Sequence, residues 1–511
     1  VGADLFWEIL GRETHSLGPN NPKLRSSQFG WIISGPMTTI TTSHKNKTVQ
    51  CNHSIISNRL NDDDTKIHND LTKFWELEEV PLRSKLSESE KACESHFLSH
   101  TFRLESGRFS VSLPLRESPN CLGQSYNLAK LRLLNLERRF RKQPEVKSQY
   151  IQFMREYSEL SHLSESPIIN PNTSYFLCHH AVFKDSSEST KIRVVFDGSA
   201  PTSSGYSVND LFLVGPNIQD SLFSILIRAR QYKYLLTGDV EKMYRQVLIN
   251  KEDRDLQLIL WREDENSPIK TLQLNTITYG MASSSYLSTR CLWQLGEDCS
   301  DPLIKQIIQH DFYIDDLITG TDDESSLRHI HETVSAALQK GCFNLRKFKT
   351  NLPMILEGTT ASSSNNLIVS ESSSTLGMGW NPSTDQLHFP FKVSPPTAVP
   401  TKRFILSSLL KIFDPLGLLS PCVIKAKMLL QQLWLHKLAW DDPIPNDIQR
   451  NWNKFSIAIP SLLNLEVPRR VLCDEPISIE LHSFSDASQN AYGACIYLRS
   501  VNSNNEVTLT N

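Results

Sequence analysis

Apolar positions recur with two different periods along the chain. Between residues 71 and 165 they return every three or four positions, as in AKLRLLNLERRFRK, and this period predicts helices. Residues 174–240 instead carry short apolar runs rich in β-branched residues, namely HHAVFK, KIRVVFD and YKYLLTGDV, which predict strands around one helix at 217–231. We expect mixed α and β structure to continue as far as Lys349.

Composition divides the rest of the chain. Residues 1–36 carry apolar runs separated by a Gly/Pro/Asn-rich stretch, which predicts strands joined by turns, and a polar linker follows. A Ser-rich loop is expected at 356–375, then two helices broken between Pro415 and Pro421. The final segments ISIELHSFSDAS and AYGACIYLRS predict a hairpin. Because 511 residues exceed a single core, we expect an α+β, mixed α/β multidomain protein.

The charge and cysteine content narrow the functional classes. With 39% hydrophobic residues the chain is a folded protein, and no segment has the roughly 20 apolar residues of a membrane span. Ten cysteines without a C-x-x-C pair favour reduced thiols. A net charge of −3 confines nucleic-acid binding to local positive surfaces. The candidates are the Lys/Arg-rich stretch 130–147, for which a solvated helix face is an equal alternative, and the cluster Arg346, Lys347 and Lys349.

Paired carboxylates are the most specific chemical feature. Asp315 and Asp316 lie inside FYIDDLITG, whose bulky flanking residues predict a tight hairpin with the acids at its turn. Such a pair alone is more often an ordinary surface turn. Asp239, however, ends the apolar run YKYLLTGD, where a charge is costly unless it meets a cation or a partner. Nucleotidyl transfer by two Mg²⁺ ions about 3.5–4 Å apart needs such carboxylates, since Mg²⁺ prefers hard oxygen ligands.

Ordered motifs between residues 170 and 440 resemble the reverse transcriptases, and among them those of BEL/Pao-type long-terminal-repeat retrotransposons. The motifs are HHAVFK, KIRVVFDGSA, NDLFLVGPN, GDVEKMYRQV, LNTITYGMASS, FYIDDL, LGMGW and KRFILSSLLKIFDPLGLLSP. The resemblance implies a right-hand arrangement of fingers, palm and thumb. It also implies an RNA-directed DNA polymerase that uses two Mg²⁺ ions, with Mn²⁺ as an alternative.

The resemblance further assigns catalytic roles. GDVEKMYRQV is similar to the motif whose leading aspartate, here Asp239, holds metal with help from the backbone of Val240. Tyr244 matches the aromatic residue that excludes a 2′-hydroxyl, with plain core packing as the alternative. YIDD is similar to the second acidic motif, which makes Asp315 the firmer and Asp316 the weaker of two further ligands.

Nucleotide contacts are implied in the same way. Lys184 and Arg193 resemble the fingers pair that grips the triphosphate, and a guanidinium suits this because it bonds phosphate in two places. TYGMASSSY resembles the loop that contacts template and nucleotide, where Gly280 admits close backbone approach, although the family's Ser/Ala-Pro step is Ser-Ser here. GCFNLRKFK resembles the motif whose lysine protonates pyrophosphate. Lys347 and Lys349 are equal candidates, with phosphate-backbone contact as the alternative.

Three further segments complete the resemblance. LGMGW is similar to the primer-grip hairpin, formed here by Gly377, Met378 and Gly379. FSDASQNAYGACIYLR resembles the first hairpin of a ribonuclease H fold, with Asp486 as its vestigial metal ligand. VGADLFWEIL resembles the end of a retroelement aspartic peptidase and lacks the features of a signal peptide, so the sequence suggests a piece of a polyprotein. Neither end is expected to be active.

Six parts are therefore expected along the chain. They are a peptidase remnant at 1–36, a linker at 37–70, a helical extension at 71–165, fingers and palm at 166–355, primer grip, thumb and connection at 356–470, and the truncated start of a ribonuclease H-like domain at 471–511.

The expected partners follow from the polymerase hypothesis. They are an RNA or DNA template, a DNA or tRNA primer and dNTPs, without a membrane, and a homo-oligomer is left open. The resemblance implies a cytoplasmic location in a virus-like particle, or a nuclear one. The alternative hypothesis is a catalytically inactive remnant that binds nucleic acid or serves a structural role. An aspartic protease is disfavoured, because the chain has no Asp-Thr/Ser-Gly triplet.

Overall fold

A computed structural model describes residues 10–16, 23–27, 30–34, 86–166, 174–183, 192–356, 374–375, 378–392 and 399–511. The chain forms two compact units. One comprises residues 1–85 with 483–496, and the other comprises residues 86–482 with 497–511. The linker expected at 37–70 and most of the Ser-rich loop at 356–375 lie outside the described residues.

The first unit contains a three-stranded antiparallel sheet. Its strands are β1 (Leu10–Ser16), β2 (Lys23–Ser27) and β3 (Gly30–Ser34). Pairing of β2 with β3 is regular, whereas β1 and β2 are paired with an irregularity near Leu10. The strands predicted within residues 1–36 are thereby confirmed.

A helical region opens the second unit. Its elements are α1 (Glu88–His100), β4 (Phe102–Arg103), β5 (Phe109–Val111), α2 (Tyr126–Lys142), α3 (Pro144–Glu159) and β6 (Leu163–Glu165). Ser87 and Glu90 form a reciprocal capping box that starts α1. In α2 the apolar side chains at 129, 133, 136 and 140 are buried, while the Lys/Arg side chains of 130–142 are exposed. The three-to-four-residue period thus gives the predicted helices.

The elements of the segment expected as fingers and palm follow in chain order. They are β7 (Cys178–Phe183), β8 (Ile192–Asp197), α4 (Leu222–Ala229), β9 (Tyr234–Val240), α5 (Met243–Gln246), β10 (Leu248–Ile249), β11 (Leu258–Trp261), β12 (Lys270–Leu274), α6 (Ser284–Glu297), α7 (Pro302–His310), β13 (Phe312–Tyr313), β14 (Asp316–Thr321), α8 (Glu324–Gln339) and β15 (Leu345–Thr350). β7 and β8 form an antiparallel hairpin.

The palm sheet has the strand order β13-β14-β9-β15. Residues 235–238 of its inner strand β9 are buried on both faces, which explains the continuous apolar run in the sequence. Leu236, Phe312, Leu317 and Val334 belong to one large core that the sheet shares with α8 and the helical region. Asp323 caps α8 by accepting the N–H of Ser326 at 2.7 Å. The core therefore supports the strand ends that carry the acids.

The remaining elements lie between residues 374 and 510. They are β16 (Ser374–Thr375), β17 (Met378–Asn381), β18 (Gln386–His388), α9 (Lys402–Leu409), α10 (Ser420–Leu435), α11 (Asn446–Ala458), β19 (Glu466–Pro468), β20 (Pro476–Ala487), β21 (Tyr492–Asn502) and β22 (Val507–Thr510). β16 to β19 form one sheet and β20 to β22 another, so the predicted C-terminal hairpin is confirmed. Among the helices the structure describes, none is long and apolar enough to cross a membrane.

A buried arginine joins the β16–β19 sheet to the palm. Arg469 is 1% exposed and forms two hydrogen bonds with the carboxylate of Asp385, at 2.6 and 2.7 Å. Its guanidinium also donates to the carbonyl oxygens of Ala229 and Tyr232, between α4 and β9. A buried charge is tolerated when it is paired and fully hydrogen-bonded. Arg469 therefore connects the turn between β17 and β18 to the segment between α4 and β9.

Candidate active site

Carboxylates that are far apart in sequence meet on neighbouring palm strands. Asp239, near the end of β9, pairs in register with Asp316 of β14 on one side and with Arg346 of β15 on the other. The N–H of Val240 donates to the carbonyl oxygen of Asp315 at 2.8 Å. Directly opposed residues of antiparallel strands have Cβ atoms about 4.5–5.5 Å apart. The sheet therefore gathers the three predicted acids at one end of β9.

The turn that carries these acids is strained. Ile314 and Asp315 are the two central residues between β13 and β14, and Ile314 has a φ of 56° while Asp315 is not in the left-handed region. A positive φ at the first central position alone is the pattern of a type II′ turn, in which glycine is usual. A β-branched residue there costs on the order of 1–3 kcal/mol, so the surroundings must hold the turn.

Burial and mutual repulsion make these acids costly to ionise. The pKa of Asp316 is raised to about 7, first by burial and then by the negative charges of Asp315 and Asp239. The pKa of Asp315 is also raised, first by burial and then by Asp239. Lys347 acts in the opposite direction on both groups, and Lys349 does so on Asp316. A cation is the partner that such a cluster would stabilise most.

Lys347 reaches Asp239 from an irregular strand. The pairing of β15 with β9 is interrupted between Arg346 and Lys349, and Lys347 inside this bulge has a φ of 54°. Its Nζ donates to Oδ2 of Asp239 at 2.8 Å, although its side chain is 71% exposed. A bulge commonly re-aims a side chain in this way. Of the two lysines proposed for proton transfer, Lys347 therefore touches an acid directly, whereas Lys349 acts on Asp316 through its charge.

An arginine and two tyrosines surround the acid turn. The positive charge of Arg193, exposed on β8, acts to lower the pKa of both Asp315 and Tyr279. The ring of Tyr244 lies 4.9 Å from that of Tyr279 at an angle of 34°. The pKa of Tyr244 is raised, first by burial, and the charge of Asp315 contributes. Tyr244 thus packs partly against the core and also borders the acids.

Protein neighbours explain two glycines that the sequence analysis assigned to nucleic acid. Gly280 has a φ of 93°, and a Cβ there would collide with the carbonyl oxygen of Phe196. A Cβ at Gly379 would collide with the imidazole of its cross-strand partner His388. Met378 beside it is buried. Packing within the protein therefore already requires that both residues lack a side chain, and their contact with a base pair or a primer stays a prediction.

Three predicted residues are not found in this cluster among the described residues. Lys184 and Gly377 lie outside the described residues, so the expected phosphate contact of Lys184 and one of the three expected primer-grip residues are not described. Asp486 lies on β20 and is exposed, and its Oδ1 accepts the N–H of Ala487 at 2.8 Å. It shares no strand pairing with the acids of the palm.

The acids suit a divalent cation but are not arranged as a finished site. Within the described part of the chain, no group of three or more His, Cys, Asp or Glu side chains could hold a metal ion as it stands. The Lys347 ammonium bonds Asp239 and supplies a positive charge at this position. Carboxylate oxygens are the donors that Mg²⁺ and Mn²⁺ prefer. Burial and the repulsion between negative charges make the ionised forms of Asp315 and Asp316 unfavourable, and a bound cation would offset this cost. The donor set therefore fits such an ion.

Two residues at the site were not singled out from the sequence. Gln219 bonds the backbone of Ile314, with its Oε1 accepting the N–H at 2.7 Å. Tyr279 stacks on Tyr244, and its only signal was its place next to Gly280 in the TYGMASSSY motif. Gln219 follows a Gly-Pro-Asn turn with no recurring pattern, so coordinates were needed to find it.

Two family models match long parts of the chain. Residues 202–382 match the model described as "Reverse transcriptase (RNA-dependent DNA polymerase)", and this range contains the acid cluster. Residues 401–510 match the model described as "Pao retrotransposon-like RNaseH-like domain". This second range includes both the helices α9–α11 expected as thumb and connection and the sheet expected as the start of a ribonuclease H-like domain. No curated protein matches the chain.

A solved structure is similar to the chain at low identity. It is described as "Structure of the foamy viral protease-reverse transcriptase dRH in complex with ds DNA", with 17% identity and a TM-score of 0.45. The similarity covers 71% of this chain and 55% of that one, so our chain spans little more than half of that relative. The two family matches show a reverse transcriptase domain at residues 202–382 and a Pao retrotransposon-like RNaseH-like domain at residues 401–510, as in a fragment of a Pao-type retrotransposon polyprotein.

Proposed function

We propose that this chain is an RNA-directed DNA polymerase that transfers a nucleotide from a dNTP to a primer 3′-hydroxyl. The observation that carries the proposal is that β9 and the β13–β14 hairpin place Asp239, Asp315 and Asp316 side by side along the backbone, within the residues that match the reverse transcriptase model. These carboxylates would hold two Mg²⁺ or Mn²⁺ ions. When bound, such ions activate the attacking hydroxyl and neutralise the triphosphate.

The fold contributes preorganisation. Asp239 is fixed by strand pairing on both sides of β9, and Asp315 by the hydrogen bond between its carbonyl oxygen and the N–H of Val240. Side chains held on a central strand lose little freedom when a reaction complex forms. Positioning and charge neutralisation are the main contributions to phosphoryl transfer, because the protein does little covalent chemistry.

The surrounding side chains have separate roles in this proposal. Tyr244, held by its stacking on Tyr279, would block the space of a 2′-hydroxyl and so select dNTPs. Arg193 would bond the triphosphate, for which a planar guanidinium is suited. Lys347 would release Asp239 and donate a proton to the departing pyrophosphate. We favour Lys347 over Lys349 because the bulge at residue 347 directs its ammonium to the acids.

Template and primer binding would depend on local positive charge. The exposed Lys/Arg side chains of α2 form an outward positive face, although Arg141 is already paired with Glu265 at 2.5 Å. The primer would meet the β16–β19 sheet near Gly379. Binding of an RNA or DNA template with a DNA or tRNA primer would weaken steeply with salt, since phosphate contacts release counterions.

One observation favours the alternative of an inactive nucleic-acid-binding remnant. In the described part of the chain no group of three ligating side chains is assembled, and Lys347 occupies Asp239. A lysine that permanently neutralised the acids would replace the metal ions rather than give way to them. The two hypotheses therefore differ in whether the carboxylates are needed for nucleotide incorporation.

Primer extension separates the hypotheses. Incorporation of dTTP on poly(rA)/oligo(dT) with Mg²⁺ is measured for the parent, Asp315→Asn and the control Asp447→Asn, which changes an exposed aspartate in the first turn of α11. We expect Asp315→Asn to lower the rate by at least about a hundredfold, because one preorganised charge is lost, and the control to match the parent. Equal rates for all three would contradict the polymerase assignment. Duplex binding by an inactive parent would support the remnant.

A further inference from the structure

Gln219 binds the strained acid turn from outside the palm sheet. Its Oε1 accepts the N–H of Ile314 at 2.7 Å, and its Nε2 donates to the carbonyl oxygen of the same residue at 3.4 Å. One amide therefore serves both backbone groups of the residue whose φ is 56°. Tyr313 and Ile314 are both half-buried, so these backbone groups are only partly accessible to water.

The position of β13 in the sheet explains why this contact is needed. β13 is at the edge of the order β13-β14-β9-β15, and no described strand pairs with its outer side. A turn at a sheet edge lacks the second neighbour that would hold its backbone. Gln219 supplies hydrogen bonds of the kind that a neighbouring strand would form. The acid turn is consequently held on one side by Val240 and on the other by Gln219.

The segment that carries Gln219 is itself anchored to the base of the same hairpin. The next residue, Asp220, pairs with Arg228 of α4 at 2.8 Å. Arg228 also bonds Asp311 at 3.0 Å, just before β13, and Asp311 accepts the hydroxyl of Thr319 on β14 at 2.8 Å. This network links the segment to both strands of the hairpin. Gln219 therefore acts from a rigid support rather than from a free loop.

We propose that Gln219 is a positioning residue of the polymerase reaction, which keeps the Ile314–Asp315 turn in its strained conformation and thereby fixes the carboxylate of Asp315. The proposal rests on the proposed function. Without the amide, Ile314 can relax to a negative φ, because a β-branched residue has no intrinsic preference for the left-handed region. The carboxylates would then lose their alignment with Asp239, while the core beneath them stays packed.

The experiment uses variants that remove only the amide contact. Gln219→Met keeps the length of the side chain without its hydrogen bonds, and Gln219→Asn withdraws the amide by one methylene. Gln231→Met is the matched control, since Gln231 is exposed and its side-chain amide donates to the carbonyl oxygen of Ile227 at the long distance of 3.4 Å. For the full chain, kcat and KM for dTTP, the Mg²⁺ concentration for half-maximal rate, the Kd for primer–template and the thermal midpoint are measured.

A positioning role predicts that some of these measured quantities change and that the others stay near the parent's values. We expect kcat of Gln219→Met to fall about 10- to 100-fold and the required Mg²⁺ concentration to rise, since misplacement by about 1 Å is costly in catalysis. KM, Kd and the thermal midpoint should stay near the parent's values, as should every property of Gln231→Met. Should Gln219→Met not fold, Gln219→Asn must give the same pattern.

Two results would overturn the inference. One is an unchanged kcat in both Gln219 variants. The other is a loss of kcat that is matched by equal losses of duplex affinity and thermal stability, which a merely structural contact would produce. A parent that is inactive, or that is insensitive to Asp315→Asn, would instead remove the proposed function on which the inference rests.

Discussion

The palm hairpin β13–β14 and the C-terminal hairpin β20–β21 both carry aspartate beside apolar strand residues. In the palm, β9 lies next to the hairpin and contributes Asp239, while burial raises the pKa of Asp315 and Asp316. On β20, Asp486 and every residue that follows the first proline of the strand are exposed. The same local pattern therefore has different chemistry in the two places.

The difference shows what turns an acidic pattern into a reactive site. A strand end gives an aspartate a direction, but only a second acid and a buried setting make its negative charge costly and its affinity for a cation high. In the palm both conditions come from residues distant in the sequence. Asp486 has an ordinary local contact with the N–H of Ala487 instead. The predictions below test this contrast.

Loss of one palm carboxylate should have the largest effect. We expect Asp239→Asn to lower nucleotide incorporation by at least about a hundredfold, because a preorganised charge at the reacting centre is lost. Asp486→Asn should change the rate by less than about twofold, because an exposed surface substitution has little effect on its surroundings. Single-turnover primer extension measures both. Similar losses in the two variants would show that the contrast between the hairpins has no functional meaning.

The second largest effect should be on the preference for dNTP over rNTP. Tyr244→Val removes the ring that stacks on Tyr279, so the preference for dNTP over rNTP should fall about 10- to 100-fold, the range of one steric discrimination. Tyr492→Val is the control, since Tyr492 is 87% exposed on β21. The ratios of kcat/KM for dTTP and UTP give the selectivity. An unaltered ratio in Tyr244→Val would favour the core-packing alternative.

Substitution by alanine should lower the free energy of unfolding more at Gly280 than at Gly493. Gly280→Ala forces a side chain against the Phe196 carbonyl at a φ of 93°, and we expect a loss of about 1–3 kcal/mol in the free energy of unfolding. Gly493→Ala on β21 should cost less than about 0.5 kcal/mol, since no described atom lies within 4 Å of a Cβ built there. Urea denaturation measures both. A small loss in Gly280→Ala would mean that the palm loop can relax.

The smallest effect concerns pH. Ionisation of Asp316 costs free energy in the folded chain, and the cost accumulates as pH rises from its ordinary pKa of 3.8 to the folded value of about 7, then stays constant. In EDTA at pH 8, Asp316→Asn should therefore stabilise the chain by about 1–2 kcal/mol, discounted because the group is only partly buried. At pH 4 the gain should nearly vanish. Thermal midpoints of the parent and Asp316→Asn from pH 4 to pH 8 measure this gain. A gain that shrinks as pH rises would contradict the prediction.

Local sequence patterns predicted much of the fold. The apolar run before Asp239 gave the central strand, and the bulky residues around Asp315 gave the hairpin, because period and turn chemistry are local properties. The bulge that directs Lys347 to Asp239 was not predictable, since a positive φ at a lysine depends on how β15 pairs. Gln219 was missed for the same reason, as its importance arises from an edge strand that it touches only in space.

Packing gives a second explanation for two glycines that the sequence analysis assigned to nucleic-acid contact. Gly280 and Gly379 lie in the motifs expected to contact nucleic acid, but Phe196 and His388 fill the space that each glycine leaves. A missing side chain looks the same in sequence whether protein or ligand takes its place. The position of a glycine in a motif therefore does not tell whether a protein group or a ligand fills the space beside it.

The central claim is that the palm acids share divalent cations, and Mn²⁺ binding followed by electron paramagnetic resonance tests it most directly. With primer–template and dTTP present, we predict that the parent and Asp486→Asn bind Mn²⁺ equally. Asp239→Asn and Asp315→Asn should each bind it at least about tenfold more weakly, because a hard oxygen ligand is lost. Equal Mn²⁺ affinity in all four proteins would contradict the account.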